Sequence, residues 1–174
     1  MHKDTLPTKI DPFRFAENAH GLQGVLQIKG MARLCESLSA TDGTVDVDIL
    51  FGIDEQGIKF AKGHLSTRLK LQCQRCLEPF EYEIIGSFMS GIVHTDEEAD
   101  QLPERYDPLI VKDNSLVISD MIEEELLVSL PIVPMHDLGA CKVKLPFASG
   151  VEVTTDAEKE NPFKVIEKLR TKRD

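Results

Sequence analysis

Tryptophan is absent from this 174-residue chain and tyrosine occurs only twice, so it offers little aromatic surface on which nucleobases could stack. Phe80 and Phe163 are the aromatic candidates for such a role. No run of roughly 18 apolar residues occurs, and no charged-then-apolar stretch opens the chain, which argues against membrane spanning and secretion. Cysteine is scarce, at four residues, and a cytoplasmic setting that keeps thiols reduced is the expectation. Positive charge is outnumbered, with 20 Lys and Arg against 30 Asp and Glu and a net charge of -10. An acidic body of this kind opposes broad phosphate binding and favours a basic protein partner, or a small basic patch of its own. There is no Gly-x-Gly-x-x-Gly after a strand, no phosphate-binding Gly-x4-Gly-Lys-Ser/Thr loop and no His-Glu-x-x-His helix. What is present is a composition, 41% hydrophobic and 29% charged, that suits one globular domain with a tail.

The periodicity gives an α+β reading. Leu6 to Ile10 reads as a short strand, and Asp11 as the N-cap of a helical turn that Pro12 starts. Met31, Leu34, Cys35 and Leu38 recur at helical spacing, which points Cys35 into a core. From Thr44 the period becomes two: Val45, Val47, Ile49, Phe51 and Ile53 share one face, and Leu65, Thr67, Leu69 and Leu71 follow in a second strand. Phe80, Tyr82, Ile84 and Phe88 alternate in a third, so a largely antiparallel sheet with hairpins is expected. The acidic, proline-broken stretch 95–107 reads as an exposed loop before a short strand at Leu109 to Val111. Ser119 reads as the N-cap of a helix whose Ile118, Ile122, Leu126 and Leu130 face the sheet, with Pro131 ending it. The core domain is expected over residues 1–146, a polar linker over 147–160, and a short amphipathic, basic helix or tail over 161–174.

Cys73-Gln74-Arg75-Cys76 sits between two of these strands, at the tip of the expected hairpin. Two thiols three positions apart can grip one metal ion, and His136 with Cys141 would complete four soft ligands for tetrahedral zinc. Structural zinc contributes roughly 10–16 kcal/mol of apparent binding free energy in small peptides, so such a site would weigh heavily on stability. Plain reduced cysteines in a tight turn are the competing interpretation. A dithiol oxidoreductase is disfavoured, because the low-pKa Cys-x-x-Cys of that class opens a helix whereas here a strand follows. His136-Asp137 as a base with its orienting carboxylate is disfavoured too, since adjacent residues seldom face one another.

Lys59, Lys62, Arg68 and Lys70 lie among Asp46, Asp48, Glu81 and Glu83 on the outward faces of the strands, so cross-strand ion pairs should account for most of that charge. Arg75 and the terminal Lys164, Lys168, Arg170, Lys172 and Arg173 have no such neighbours in the sequence pattern and are the RNA- or partner-binding candidates, together with Phe80.

Three separated segments carry a resemblance: Leu71-Gln72-Cys73-Gln74-Arg75-Cys76-Leu77-Glu78-Pro79-Phe80; Leu130-Pro131-Ile132-Val133-Pro134-Met135-His136-Asp137 with Cys141; and Asn161-Pro162-Phe163-Lys164-Val165-Ile166 with a basic tail. In this order, with the Leu6-Pro7 and Asp11-Pro12 opening, they resemble the YceD family of large ribosomal RNA subunit accumulation proteins. The resemblance implies a bacterial, cytoplasmic, non-catalytic ribosome biogenesis factor that promotes 23S rRNA processing or accumulation. Precursor rRNA, a basic large-subunit ribosomal protein, or both would be the partners. It carries over no catalytic residue. Some relatives hold further cysteines in the downstream loop where this chain has only Cys141, so a four-thiol cage would require Cys35. A zinc- or thiol-dependent enzyme, and a protein adaptor that never meets RNA, are the alternatives.

Overall fold

The two-residue alternation in the middle of the chain builds a five-stranded sheet in this computed structural model, which describes residues 6–137 and 139–143. The elements run β1 (Lys9–Ile10), α1 (Pro12–Glu17), β2 (Gly21–Gln27), a 3-10 turn (Ile28–Gly30), α2 (Ala32–Glu36), β3 (Thr44–Ile53), β4 (Lys59–Gln72), β5 (Pro79–Val93), α3 (Asp96–Ala99), β6 (Asp107–Ile110), β7 (Leu116–Val117) and α4 (Ile118–Ser129). The sheet order is β2-β3-β4-β5-β6, and β1 pairs with β7 in a separate two-stranded ribbon. All pairs are antiparallel except β5 with β6, so the α+β expectation holds. The described residues up to Cys141 belong to one compact unit. The expected linker and basic helix beyond residue 146 lie outside the described residues.

Register follows from which side chains must leave water. Leu65 stands opposite Val47 and Gly86, and Leu69 opposite Tyr82, so the odd positions of β3 and β4 share a face with the even positions of β5. A slip of one residue would turn every one of these side chains outward. On that face Val45, Ile49, Phe51, Leu69 and Leu71 are buried, beneath Phe13 and Ala16 of α1, Leu34 of α2, and Ile118, Ile122 and Leu126 of α4. Asp11 caps α1 as expected, its Oδ1 accepting from the amides of Phe13 and Arg14 at 3.1 Å each. One buried charge ties two helices together: Glu123 accepts from Arg33 Nη2 at 3.1 Å and from the Leu34 amide at 3.1 Å.

Several expectations are corrected. Ile53 ends its strand 46% exposed rather than in the core, because the chain turns out at Asp54. The helix α4 begins at Ile118, with Val117 as N-cap, so Ser119 lies inside the first turn and its hydroxyl donates to Asp120. No side chain caps this helix; the Ile118 amide, one of the four without a partner in the helix, donates to the Thr8 carbonyl at 3.2 Å as the chain passes from β7 straight into α4. The acidic stretch is more than a loop, since Thr95 caps the short α3 within it, while the short strand expected after it forms as β6, starting two residues earlier at Asp107 and running parallel to β5. Leu102 and Tyr106 from that stretch cover Gly91, where any Cβ would strike the leucine methyls, and the Tyr106 hydroxyl donates to Asp54 at 2.8 Å. Of the expected cross-strand ion pairs, Arg68 meets Glu83 at 3.1 Å, whereas Lys59 reaches back to Glu17 at 2.7 Å. Among the described residues, no helix is long and apolar enough to cross a membrane.

Candidate metal centre

The strand β4 delivers Cys73 to a tight turn. The Cys73 amide donates to the Glu78 carbonyl at 3.0 Å and the Leu77 amide to the Cys73 carbonyl at 2.8 Å, with Leu77 in the left-handed region at φ 61°. That turn folds Cys76 back beside Cys73 before Pro79 opens β5. The hairpin tip is less open than its position in the sequence implies, since Cys73 is fully buried and Cys76 half-buried.

The other half arrives from beyond α4. Pro131 follows the end of that helix, and the chain bends at Ile132 and Val133 before the Gln74 amide donates to the Pro134 carbonyl at 2.8 Å. Arg75 donates from Nη2 to the His136 carbonyl at 2.9 Å. The His136 amide in turn donates to Cys73 Sγ at 3.5 Å, and its Nδ1 lies 3.3 Å from Cys76 Sγ. The Phe80 ring backs the imidazole with centroids 4.9 Å apart. A turn in which the amides of Ala140 and Cys141 both donate to the Asp137 carbonyl brings Cys141 inward, where it is buried.

The ligand atoms of Cys73, Cys76, His136 and Cys141 all lie within 4.8 Å of one another. Around tetrahedral zinc, with Zn–S of about 2.3 Å, ligand atoms are about 3.8 Å apart, so the cluster needs only a small contraction to close on an ion. Its electrostatics favour thiolate. Burial works to raise the Cys73 pKa, but the amides of His136, Cys76 and Arg75 and the His136 side chain outweigh it, bringing the thiol down to about 5. Cys76 goes the other way: against the pull of the Glu78 amide, burial and the neighbouring Cys73 and Cys141 thiols hold it above the usual range. The site therefore stores one negative charge readily and resists a second until a cation shares it. These residues could hold a metal ion, and four protein donors would leave it no open coordination position.

The depressed Cys73 pKa has a pH consequence. A folded-state value below the unfolded one contributes stability that is present above the ordinary thiol pKa and lost as pH falls through about 5. In chelator-treated protein we expect one thiolate, read by ultraviolet absorbance, to persist at neutral pH and disappear near pH 5, while the urea-unfolded chain loses all thiolate absorbance well above neutrality. Coincident titration of both forms would contradict the amide cradle.

Cys35 stands apart, its thiol donating to the Ile28 carbonyl at 3.3 Å, and is no part of the cluster. Arg75 is half-buried and turned onto His136, with its Nε lacking a protein partner, and Phe80 is half-buried between His136 and Tyr82. Lys164, Lys168, Arg170, Lys172 and Arg173 lie outside the described residues. The clasp from Gln74 to Pro134 had no sequence signal, because it is made by backbone atoms alone.

No solved structure matches this chain. The family described as large ribosomal RNA subunit accumulation protein YceD matches residues 61–170. A relative from Haemophilus influenzae, named large ribosomal RNA subunit accumulation protein YceD, is 32% identical over 174 residues, covering 99% of this chain and 100% of its own length. The family match takes in both halves of the Cys/His cluster, and the relative aligns from end to end: the chain belongs to the YceD family of large ribosomal RNA subunit accumulation proteins.

Proposed function

We propose that this chain promotes accumulation of 23S rRNA in the cytoplasm as a non-catalytic binding factor, holding precursor rRNA or an early large-subunit ribosomal protein during assembly. The observation that carries this reading is the alignment with a protein of that name along the whole chain. The chemistry of the Cys/His cluster supports its non-catalytic part. Thiolate and imidazole donors in a closed set of four suit structural zinc, whereas catalytic zinc keeps a position for water or substrate. Zinc bound there clamps the β4–β5 hairpin to the 134–141 segment. In this reading Arg75 and the basic residues from Lys164 to Arg173 are the phosphate contacts, and the acidic body prevents indiscriminate RNA binding.

The test is depletion and rescue. Cells lacking the protein should show a fall in 23S relative to 16S rRNA, restored by the wild-type chain, and the tagged protein should co-sediment with large-subunit precursors. Normal rRNA ratios on depletion, with sedimentation only at the top of the gradient, would overturn the reading. Turnover of an RNA or a dithiol substrate by the purified protein would replace it with an enzyme.

A further inference from the structure

From Asp113 to Cys141 the chain has no lysine or arginine but carries Asp113, Asp120, Glu123, Glu124, Glu125 and Asp137. The same stretch exposes apolar side chains: Val128 is 85% exposed, Ile132 101%, Val133 53% and Met135 49%. Asp120, Glu124 and Val128, spaced by four, stack in one row along α4 that leads toward Ile132. Leaving an isoleucine wholly in water gains nothing from folding, and several such residues together mark a contact surface. This ridge is fixed in place, because α4 holds one end and the bond from Gln74 to Pro134 holds the other. Beside it runs a groove of about 790 Å³, floored by Leu38, Leu71, Leu127 and Leu130 and edged by Glu36 and Gln74.

We propose that this groove and ridge bind an extended polypeptide segment rich in lysine or arginine and carrying apolar side chains; the inference rests on the binding-factor reading above. The described body supplies the charge complementarity, since residues 6–141 hold 11 Lys and Arg against 23 Asp and Glu. RNA phosphate fits poorly here: the residues lining the groove include the acidic Glu36 and no lysine or arginine. A second copy fits poorly as well, because a two-fold contact would bring two net-acidic surfaces together, with Glu36 and Asp120 on each. A partner bringing cations to the rim and aliphatic side chains to the floor satisfies both features at once.

The experiment places a photo-crosslinking amino acid at Val128 of the full-length protein in cells and identifies the crosslinked peptides by mass spectrometry. Lysine- or arginine-rich segments of other proteins are expected, falling at least about tenfold on Ile132→Asp, the scale of one aliphatic side chain buried on binding. Glu36→Lys should weaken capture further and reduce its salt dependence. Because Ile132 is fully exposed, Ile132→Asp should leave melting temperature and metal content unchanged, which separates lost binding from lost folding. Crosslinks to RNA, to a second copy, to this chain's own residues beyond 142, or to nothing each overturn the proposal. If Ile132→Asp still co-sediments with large-subunit precursors, the groove is wrong while the assembly role stands.

Discussion

Cys76→Ser should strip the protein of metal and lower its melting temperature by roughly 10 °C. Wild-type protein prepared without chelator is expected to carry one zinc per chain by native mass spectrometry. The size of the effect follows from mass action: free metal about a thousandfold above its dissociation constant stabilises a folded domain of this length by roughly 10 °C. Serine cannot supply the thiolate, and it removes the sulfur that lies 3.3 Å from His136 Nδ1. His136→Ala should behave similarly, because either loss leaves three protein donors. Cys35→Ser should retain full metal, since that thiol donates to the Ile28 carbonyl and takes no part in the cluster. Complete unfolding of Cys76→Ser is not expected, unlike a zinc-finger peptide, because a sheet core far from the cluster stands without it. A metal-free wild-type protein whose thiols alkylate at once in the native state would sink the zinc assignment.

How much of this was legible in the sequence depends on the range of the interaction concerned. The strands were readable because their period of two is a local property: Val45, Val47, Ile49 and Phe51 are buried as the alternation requires. Likewise Asp11 before Pro12 announced its helix, since cap and first turn lie within four residues of one another. Ser119 misled for the opposite reason. The helix starts ahead of it, at Ile118, whose amide donates to the Thr8 carbonyl more than a hundred positions earlier, and no local pattern reports that. The parallel direction of β6 beside β5 was equally silent, because strand direction is set by how the intervening segment crosses the sheet, here with Leu102 and Tyr106 over Gly91, and not by the strand's own residues. For the metal cluster, ligand identity was readable from residue type and spacing, and the structure brings together all four named residues. What spacing could not give was the orientation of Arg75. A charged residue at a hairpin tip reads as solvent-facing, yet its guanidinium is drawn onto the His136 carbonyl by a segment about sixty residues away.

Phe51→Ala is the complementary prediction, expected to cost about 4 kcal/mol and to lower the melting temperature by roughly 10 °C without releasing metal. Phe51 is fully buried in β3, with its ring set edge-on to Phe15 at 5.5 Å beneath α1. Truncation removes a large side chain from a site walled by sheet backbone on one side and a helix on the other, so the cavity has little freedom to collapse. Its neighbour across the ladder is Ala61, and from there β4 runs to Cys73, about 40 Å away at the rise of an extended strand. Substitutions that far apart with no shared partner should add, so Phe51→Ala combined with Cys76→Ser should lose the sum of the two single effects. Hydrogen exchange gives the sharper reading: Phe51→Ala should accelerate amides of β2, β3 and α1 while the Cys73 to Glu78 turn stays protected in zinc-loaded protein. If Phe51→Ala instead releases the metal at ambient temperature, the cluster depends on the whole sheet. The two ends of β4 would then be a single cooperative unit rather than a hydrophobic core and a separately closed clamp.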